Sequence, residues 1–137
     1  MAKGLNMKRM LLSASMLLGL AACAVDGEDY AKAIANSVPP SAELRANIVK
    51  DAQQIIYDPA SIRQAEISNL ATLSDGTQGV CVRADSKNVA GRYIGVHNMG
   101  VKVEDQKPDG AALEHPLCNR PDVKWNPFPE LERMKPN

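Results

Sequence analysis

A short apolar run near the N-terminus constrains this 137-residue chain more than any other feature. A basic segment precedes the mostly apolar run of residues 10–20, and two alanines follow it. This order is typical of a secretory signal peptide. Eleven residues are too few to cross a bilayer as a helix, which needs about 20 apolar residues. We therefore predict that residues 1–22 are a signal peptide and that the rest of the chain folds after export, in an oxidising compartment.

The run ends in Leu20-Ala21-Ala22-Cys23, which resembles the lipobox of bacterial lipoproteins. The resemblance implies that Cys23 becomes the first residue of the mature protein and carries a diacylglycerol and usually an acylated amine. Because more than one acyl chain gives stable anchoring, the lipid would hold the protein on a membrane. Residue 24 is Ala rather than Asp, which in the enterobacterial sorting pattern implies the outer membrane. We predict a protein anchored through Cys23 to the outer membrane of a Gram-negative bacterium, facing the periplasm.

The charge balance changes once the signal peptide is set aside. The chain has 16 basic and 16 acidic residues, but residues 1–22 hold three basic and no acidic residues, so the remainder has a net charge near −3. Aromatic residues make up 4% of the chain, and Arg83, Lys87 and Arg92 form only a small basic group. A nucleic-acid-binding surface needs more positive charge than this. We therefore predict no nucleic-acid partner.

Residues 23–40 lack an amphipathic stripe long enough to require a core. They contain an acidic cluster, an Ala-rich patch and the sequence Val38-Pro39-Pro40. Such a composition favours a flexible connection between a membrane anchor and a domain. We predict that residues 23–40 form a lipidated tether.

The next segment predicts one amphipathic helix. Ser41 is a suitable N-cap, and apolar residues then recur at helical spacing from Leu44 to Ile56. Because Pro59 disfavours helical geometry in the residue before it, the helix should end near Tyr57.

Short segments with strand character follow the helix. They are Ala65–Leu73, Gly79–Asp85, Tyr93–Val96 and Val101–Glu104. Turn residues separate them, and such short connections favour antiparallel neighbours. The predicted fold class is α+β, with one N-terminal amphipathic helix packed on a three- to four-stranded antiparallel sheet in a domain spanning residues 41–118.

The C-terminal segment 119–137 is rich in proline, which predicts an irregular tail. The same segment carries Trp125 and Phe128, two of the five aromatic residues of the chain. Three arrangements remain open from the sequence. The tail can fold back onto the sheet or its edge, can dock to a partner through its aromatic side chains, or can be disordered.

Cys81 and Cys118 remain once Cys23 is assigned to the lipid. An even pair in an oxidising compartment predicts a disulfide between them, enclosing 36 residues. The chain-entropy model gives a stabilisation of roughly 3–4 kcal/mol for such a loop. A domain of this size has a small core, so a covalent link contributes substantially to its stability.

The sequence contains no recognisable catalytic or metal-binding motif. Cys81 lies in the apolar stretch Val80-Cys81-Val82, a poor setting for a nucleophile paired with His97 or His115. The two histidines are 18 positions apart, without the spacing of metal ligands. Asp85, at a strand end, is expected to be solvated. We predict a non-enzymatic protein with no catalytic residue, no cofactor and no bound metal.

The stretch from residue 58 to residue 95 resembles a group of small exported bacterial proteins. These proteins share an Asp-Pro-x-Ser turn, a strand with a cysteine, and a hairpin followed by Gly-x-Tyr-x-Gly. The matching residues are Asp58, Pro59, Ser61, Cys81, Lys87, Asn88, Gly91, Tyr93 and Gly95. The resemblance implies a helix followed by a sheet in an exported domain, and it transfers no catalytic residue.

These observations together predict an interaction or envelope-maintenance module. Its partner would be another envelope protein or peptidoglycan, besides the membrane reached through the lipid. An accessory subunit of an outer-membrane assembly machine and a periplasmic inhibitor or ligand-binding module remain alternatives. The candidate interaction residues are Lys87, Arg92 and Tyr93 in the hairpin and Trp125 and Phe128 in the tail.

Overall fold

An antiparallel sheet organises the chain in the computed structural model, which describes residues 27–137. Its strands are β1 (Arg63–Ser68), β2 (Ala71–Thr72), β3 (Gln78–Asp85), β4 (His97–Glu104), β5 (Lys107–Leu113) and β6 (Trp125–Pro127). The order across the sheet is β5-β4-β3-β1-β6, and β2 pairs with β3. The predicted α+β class is confirmed. The sheet has six strands within the described range rather than three or four.

Three α-helices accompany the sheet in residues 27–137: α1 (Gly27–Ala35), α2 (Ala42–Ile55) and α3 (Pro129–Glu132). The predicted cap of α2 is confirmed, because the Ser41 hydroxyl accepts a hydrogen bond from the Leu44 amide at 3.0 Å. The helix ends at Ile55, two residues before the predicted end. None of these helices is both long enough and apolar enough to cross a bilayer.

The side chains of each strand alternate between the two faces of the sheet, and one face packs against α2. Val80 on β3 points to the helix side, whereas its neighbour Cys81 points to the opposite face. The core between α2 and the sheet contains Leu44, Ile48, Ala52, Ile62, Ala65, Ile67, Leu70, Val80, Val101, Val103, Phe128, Leu131 and Met134. Helix α2 therefore packs on one face of the sheet, as the sequence predicts.

Two of the predicted strands differ from the observed ones. Ala65–Leu73 divides into β1 and β2, and Tyr93–Val96 is not a strand but forms a single bridge from Tyr93 to Lys87. The sequence missed β5, because nearly all of its side chains are exposed and so leave no alternating pattern. Strand β5 is instead formed by backbone pairing with β4.

The prediction of a flexible tether over residues 23–40 is wrong for the described part of that segment. Helix α1 occupies Gly27–Ala35, with Ala33 and Ile34 buried. Val38 then pairs with Leu70 through two backbone hydrogen bonds of 3.1 and 2.7 Å. Contacts with residues far along the chain thus order a helix of nine residues, which is too short to be stable by itself. The predicted signal peptide and Cys23 lie outside the described residues.

The prediction of an irregular tail, and with it the domain boundary at residue 118, is also wrong. Strand β6 pairs with β1, and Phe128 after it is fully buried. Leu131 and Met134 are also buried and recur at a spacing of three residues, so one face of the C-terminal segment fills the end of the core. The structure has the fold-back onto the sheet edge, one of the three arrangements left open by the sequence.

An ion pair fastens this C-terminal segment to α2. Arg45 donates to both carboxylate oxygens of Glu130, at 2.9 and 2.7 Å, and to the Pro127 carbonyl at 2.9 Å. The hydrogen bond from Arg45 lowers the pKa of the Glu130 carboxyl below its ordinary value. The pair therefore stays charged at neutral pH.

The predicted disulfide between Cys81 and Cys118 is confirmed, with the two Cα atoms 5.5 Å apart. It links β3 to the 3₁₀ turn Pro116–Asn119 on the face of the sheet opposite α2. His115 lies across Gly100 there, and a Cβ at Gly100 would approach the His115 Cβ to 2.7 Å. Tyr30 of α1 packs edge-on against the His115 ring. The second face of the sheet is thus partly covered by α1 and this turn.

Candidate functional site

An open groove of about 760 Å³ lies between α2 and the sheet face formed by β3, β4 and β5. Its floor contains Val82 and Met99 from the sheet, and its rim contains the large apolar side chains of Ile55, Ile94 and Leu113. These three rim side chains are 70%, 52% and 71% exposed. Three large hydrophobic residues from different parts of the sequence are therefore exposed to solvent around one groove.

The groove exists because α2 covers the sheet unevenly. Near its N-terminal half, Asn47 donates a hydrogen bond of 2.7 Å to the Gln106 carbonyl in the β4–β5 turn, and Ile48 is buried. At the C-terminal end of the helix, Ile55 has no such cover and is largely exposed. The apolar face of the sheet near Met99 and Leu113 is consequently left partly open.

The polar edge of the groove is acidic. Asp51 lies on the helix side, and Glu114 lies on the sheet side with His97 and Asn98. The Glu114 carboxylate is 3.4 Å from His97 Nδ1 and accepts a hydrogen bond of 3.2 Å from the side-chain amide of Asn98. Among the described residues, no lysine or arginine lines the groove. Its two formally charged groups at neutral pH are therefore both negative.

Ser86 and Ile94, from the loop of residues 86–96, form one wall of the groove. The loop contains part of the motif on which the predicted resemblance to exported proteins rests. The Ser61 hydroxyl donates to the Asp58 carbonyl at 2.7 Å and accepts from the Lys87 amide at 2.9 Å. The Tyr93 hydroxyl donates to the Ser61 carbonyl at 3.0 Å. The Asp-Pro-x-Ser turn and the hairpin are thus two halves of one hydrogen-bonded unit.

Asp85 forms the centre of this unit, although the sequence predicted a solvated residue. Its side chain is buried, and its Oδ2 accepts from Arg63 Nε at 2.9 Å and lies 2.8 Å from Arg63 Nη2. Its Oδ1 accepts from the Gly95 amide at 3.0 Å. The Arg63 guanidinium in turn lies 3.5 Å from the centre of the Tyr93 ring. These contacts fix the loop and place Ile94, between Tyr93 and Gly95, at the groove.

The predicted hairpin residues have different surroundings. Two cations lie near the Tyr93 ring: the Arg63 guanidinium and, 5.5 Å from the ring centre, the Lys87 ammonium. Lys87 and Tyr93 therefore serve to hold the loop. Arg92 is exposed. The sequence did not identify Arg63, Ile55, Ile94 or Leu113, because their proximity depends on strand pairing and helix placement.

The two predicted tail residues differ in accessibility. Trp125 is half-buried, with the Arg83 guanidinium 4.0 Å from its ring centre. Phe128 is fully buried beneath Arg45, whose guanidinium is 4.9 Å from the ring centre. The alternative in which Phe128 is an exposed anchor for a partner is therefore wrong.

The histidines and the cysteine pair do not converge on one centre. His115 Nδ1 accepts from the Leu117 amide, whereas His97 lies beside Glu114 at the groove. Cys81 is bonded to Cys118. Within residues 27–137, no three side chains of His, Cys, Asp or Glu form a group that could hold a metal ion.

Replacing Asp85 with asparagine should destabilise the protein by about 1.5–3 kcal/mol, because the charge-assisted bonds from Arg63 are lost in a buried position. The amides of residues 86–96 should also exchange faster with deuterium. Urea unfolding and hydrogen–deuterium exchange measure the two effects. The matched control is Asp109→Asn, which removes an exposed pair with Lys102 and should change stability by less than about 1 kcal/mol. Equal stabilities of the two variants would contradict a central role for Asp85.

Comparisons with known proteins leave the fold and the groove as the basis for assigning a function. The chain matches no family model, and the comparisons with curated proteins and with solved structures found no match either. The resemblance to small exported bacterial proteins stays a prediction from the sequence.

Proposed function

We propose that the chain is a lipid-anchored protein of a Gram-negative cell envelope that acts without catalysis, by binding an apolar segment of another envelope protein in the groove. The observation that carries the proposal is the convergence of Ile55, Ile94 and Leu113, all largely exposed, around one apolar groove. Contiguous apolar patches of this kind on folded proteins are associated with interaction sites.

Covering the groove would supply part of the free energy of binding. Burying a fully exposed Leu or Ile side chain stabilises a complex by about 1.5–3 kcal/mol. Because the three rim side chains are 52–71% exposed, covering them would contribute roughly 3–6 kcal/mol in total. This contribution offsets part of the entropy lost on association, so the affinity also depends on the polar edge of the groove.

The lining favours a protein over peptidoglycan as the partner. Sugar hydroxyl and amide groups lose free energy when they enter an apolar site without hydrogen-bond partners. The groove offers mostly aliphatic side chains, such as Val82, Met99 and Leu113. The accessory-subunit and inhibitor alternatives are both forms of protein binding, and the identity of the bound partner distinguishes them.

The proposed anchor would hold the folded domain close to the membrane. Helix α1 begins at Gly27, four residues after Cys23. Four residues of extended chain span at most about 14 Å. A lipid on Cys23 would therefore keep the folded domain next to the bilayer, rather than at the end of a long tether.

The proposal predicts a groove-dependent crosslink in intact membranes. A photoreactive amino acid at position 55 of the full chain should crosslink to one envelope protein, identified by mass spectrometry. Leu113→Gln should reduce that product at least about tenfold, since a buried polar group weakens apolar docking. The matched control is Val89→Gln, at a residue 77% exposed and outside the groove, which should leave the crosslink unchanged.

Two outcomes would reject the proposal. One is a crosslinked product that Leu113→Gln and Val89→Gln affect equally, with both variants as stable as the wild type. The other is a Cys23→Ala variant that still fractionates with the outer membrane as the wild type does. That result would contradict the proposed lipid anchor.

A further inference from the structure

We propose that the occupant of the groove is a basic amphipathic helix of the partner protein, with its apolar face on the sheet and its lysine or arginine residues beside Asp51 and Glu114. This inference rests on the proposed function and specifies the chemistry of the partner. It follows from the edge of β5, the uncovered sheet face and the charges at the rim.

Strand β5 lies at the edge of the sheet but offers little backbone for a partner strand. The Glu114 amide donates to the Asn98 carbonyl at 3.0 Å, so by the antiparallel alternation Leu113 and Ala111 direct their backbone groups outward. Gly110, with φ +106°, and Pro108 interrupt the row before these residues. A row of two residues is too short for strong strand addition, which uses a continuous series of main-chain bonds.

The uncovered sheet face, in contrast, suits a second helix. A sheet buries its apolar face by packing against another layer, and α2 supplies that layer over only part of β4 and β5. Met99 stays half-buried, and Ala111 and Leu113 stay exposed beside the C-terminal half of α2. A helix lying next to α2 would cover them with side chains spaced three and four residues apart. The groove would then become a continuous core.

The charges at the rim select the sign of the partner. Asp51 and Glu114 are on opposite sides of the groove, and no lysine or arginine of the described chain lines it. A fatty-acid carboxylate or an anionic lipid headgroup would meet like charge there. Lysine or arginine residues flanking an apolar helical stripe would meet opposite charge. The attraction acts between partly exposed groups, so it should weaken as salt is added.

The experiment measures peptide binding to the lipidated protein in phosphatidylcholine vesicles, with protein-free vesicles as the reference. The probes are three fluorescent peptides of about five helical turns: a Leu/Lys amphipathic helix, its Leu/Glu counterpart, and a scrambled Leu/Lys peptide of the same composition. We expect the Leu/Lys helix to bind at least about tenfold more tightly than either control peptide. Leu113→Gln should weaken it about tenfold, and Val89→Gln should not.

A second variant tests the charges without disturbing the apolar lining. Asp51→Asn combined with Glu114→Gln keeps the size of both side chains and should bring the affinities for the Leu/Lys and Leu/Glu helices within about threefold of each other. Thermal unfolding of every variant verifies that the fold is intact.

The outcomes separate this inference from the proposed function. Equal binding of the Leu/Lys and Leu/Glu helices, or of the helical and scrambled peptides, would overturn the basic helix while groove-dependent crosslinking still supported a protein partner. The Cys23→Ala protein can also be compared with a Cys23→Ala protein that carries Leu113→Gln. If the first binds neutral vesicles more tightly than the second, the groove binds lipid and the inference is overturned. A dimer that Leu113→Gln dissociates would overturn it in favour of a second copy. Loss of both the peptide effect and the crosslink would overturn the proposed function as well.

Discussion

Phe128→Ala should lower the free energy of unfolding by about 3–5 kcal/mol, the largest effect we expect from a single substitution. The Phe128 side chain is 0% exposed and belongs to the core with Leu44, Ile67 and Leu131. Its amide donates to the Ala65 carbonyl at 2.9 Å, so the backbone around it is also fixed. Removing the ring leaves a cavity that this framework cannot fully close. Urea denaturation followed by circular dichroism measures the loss.

The control for this prediction is Tyr57→Ala. Tyr57 is also aromatic but 69% exposed, and its replacement should change stability by no more than about 0.5 kcal/mol. If both variants unfold at the same urea concentration, residues 119–137 do not contribute to the core. A clear difference shows that the proline-rich segment is part of the domain.

Replacing Cys81 and Cys118 together with alanine should cost about 3–4 kcal/mol, because the unfolded chain gains the freedom of a loop of 36 residues. The disulfide also holds the turn Pro116–Asn119 against the sheet. The wild type should lose a similar amount of stability when a reductant is added. The double variant should show no dependence on the reductant, which serves as the internal control.

Two observations would contradict the prediction for the disulfide. A wild type whose unfolding is unchanged by reductant would mean that the bond contributes little. Two alkylatable thiols at Cys81 and Cys118, detected by non-reducing mass spectrometry, would mean that the bond does not form in the exported protein.

The features that the sequence predicted correctly depend on local signals or on cysteine chemistry. Ser41 caps α2 through an amide three residues away, and the apolar spacing from Leu44 to Ala52 defines the buried face of the same helix. The predicted stripe also included Ile55, which is exposed instead. Most of β3 lies within the predicted strand Gly79–Asp85. Cap, periodicity and strand character are contained within one segment, so each can be recognised without knowing the rest of the fold.

The features that the sequence missed depend on partners far along the chain. Val38 is held by Leu70, and the Phe128 backbone is held by Ala65. Neither segment has a long pattern of its own, and the prolines around β6 suggested an irregular tail. Edge strands tolerate proline and exposed side chains because only one side of the strand is paired. Burial by tertiary contacts overrode the local preference in these segments.

In the candidate site, too, the local motif was recognisable from the sequence, whereas the contacts between distant residues were not. The turn residues Ser61, Lys87 and Tyr93 were recognisable as a motif, but their joint role around the buried Asp85 was not. Arg63 reaches Asp85, 22 positions away in the sequence, because the two residues are partners in the antiparallel pairing of β1 with β3. A carboxylate at a strand end is ordinarily solvated, and here a distant arginine makes its burial favourable.

The sequence by itself determined the capped helix, the cysteine pair and the order of that helix followed by strands, because neighbouring residues or bond chemistry specify them. Only the tertiary structure decided that α1 and the C-terminal segment belong to the domain. It also decided that Ile55, Ile94 and Leu113 meet at one groove. The physical reason is that burial is a property of the assembled layers: α2 covers one part of the sheet and leaves another part exposed to water.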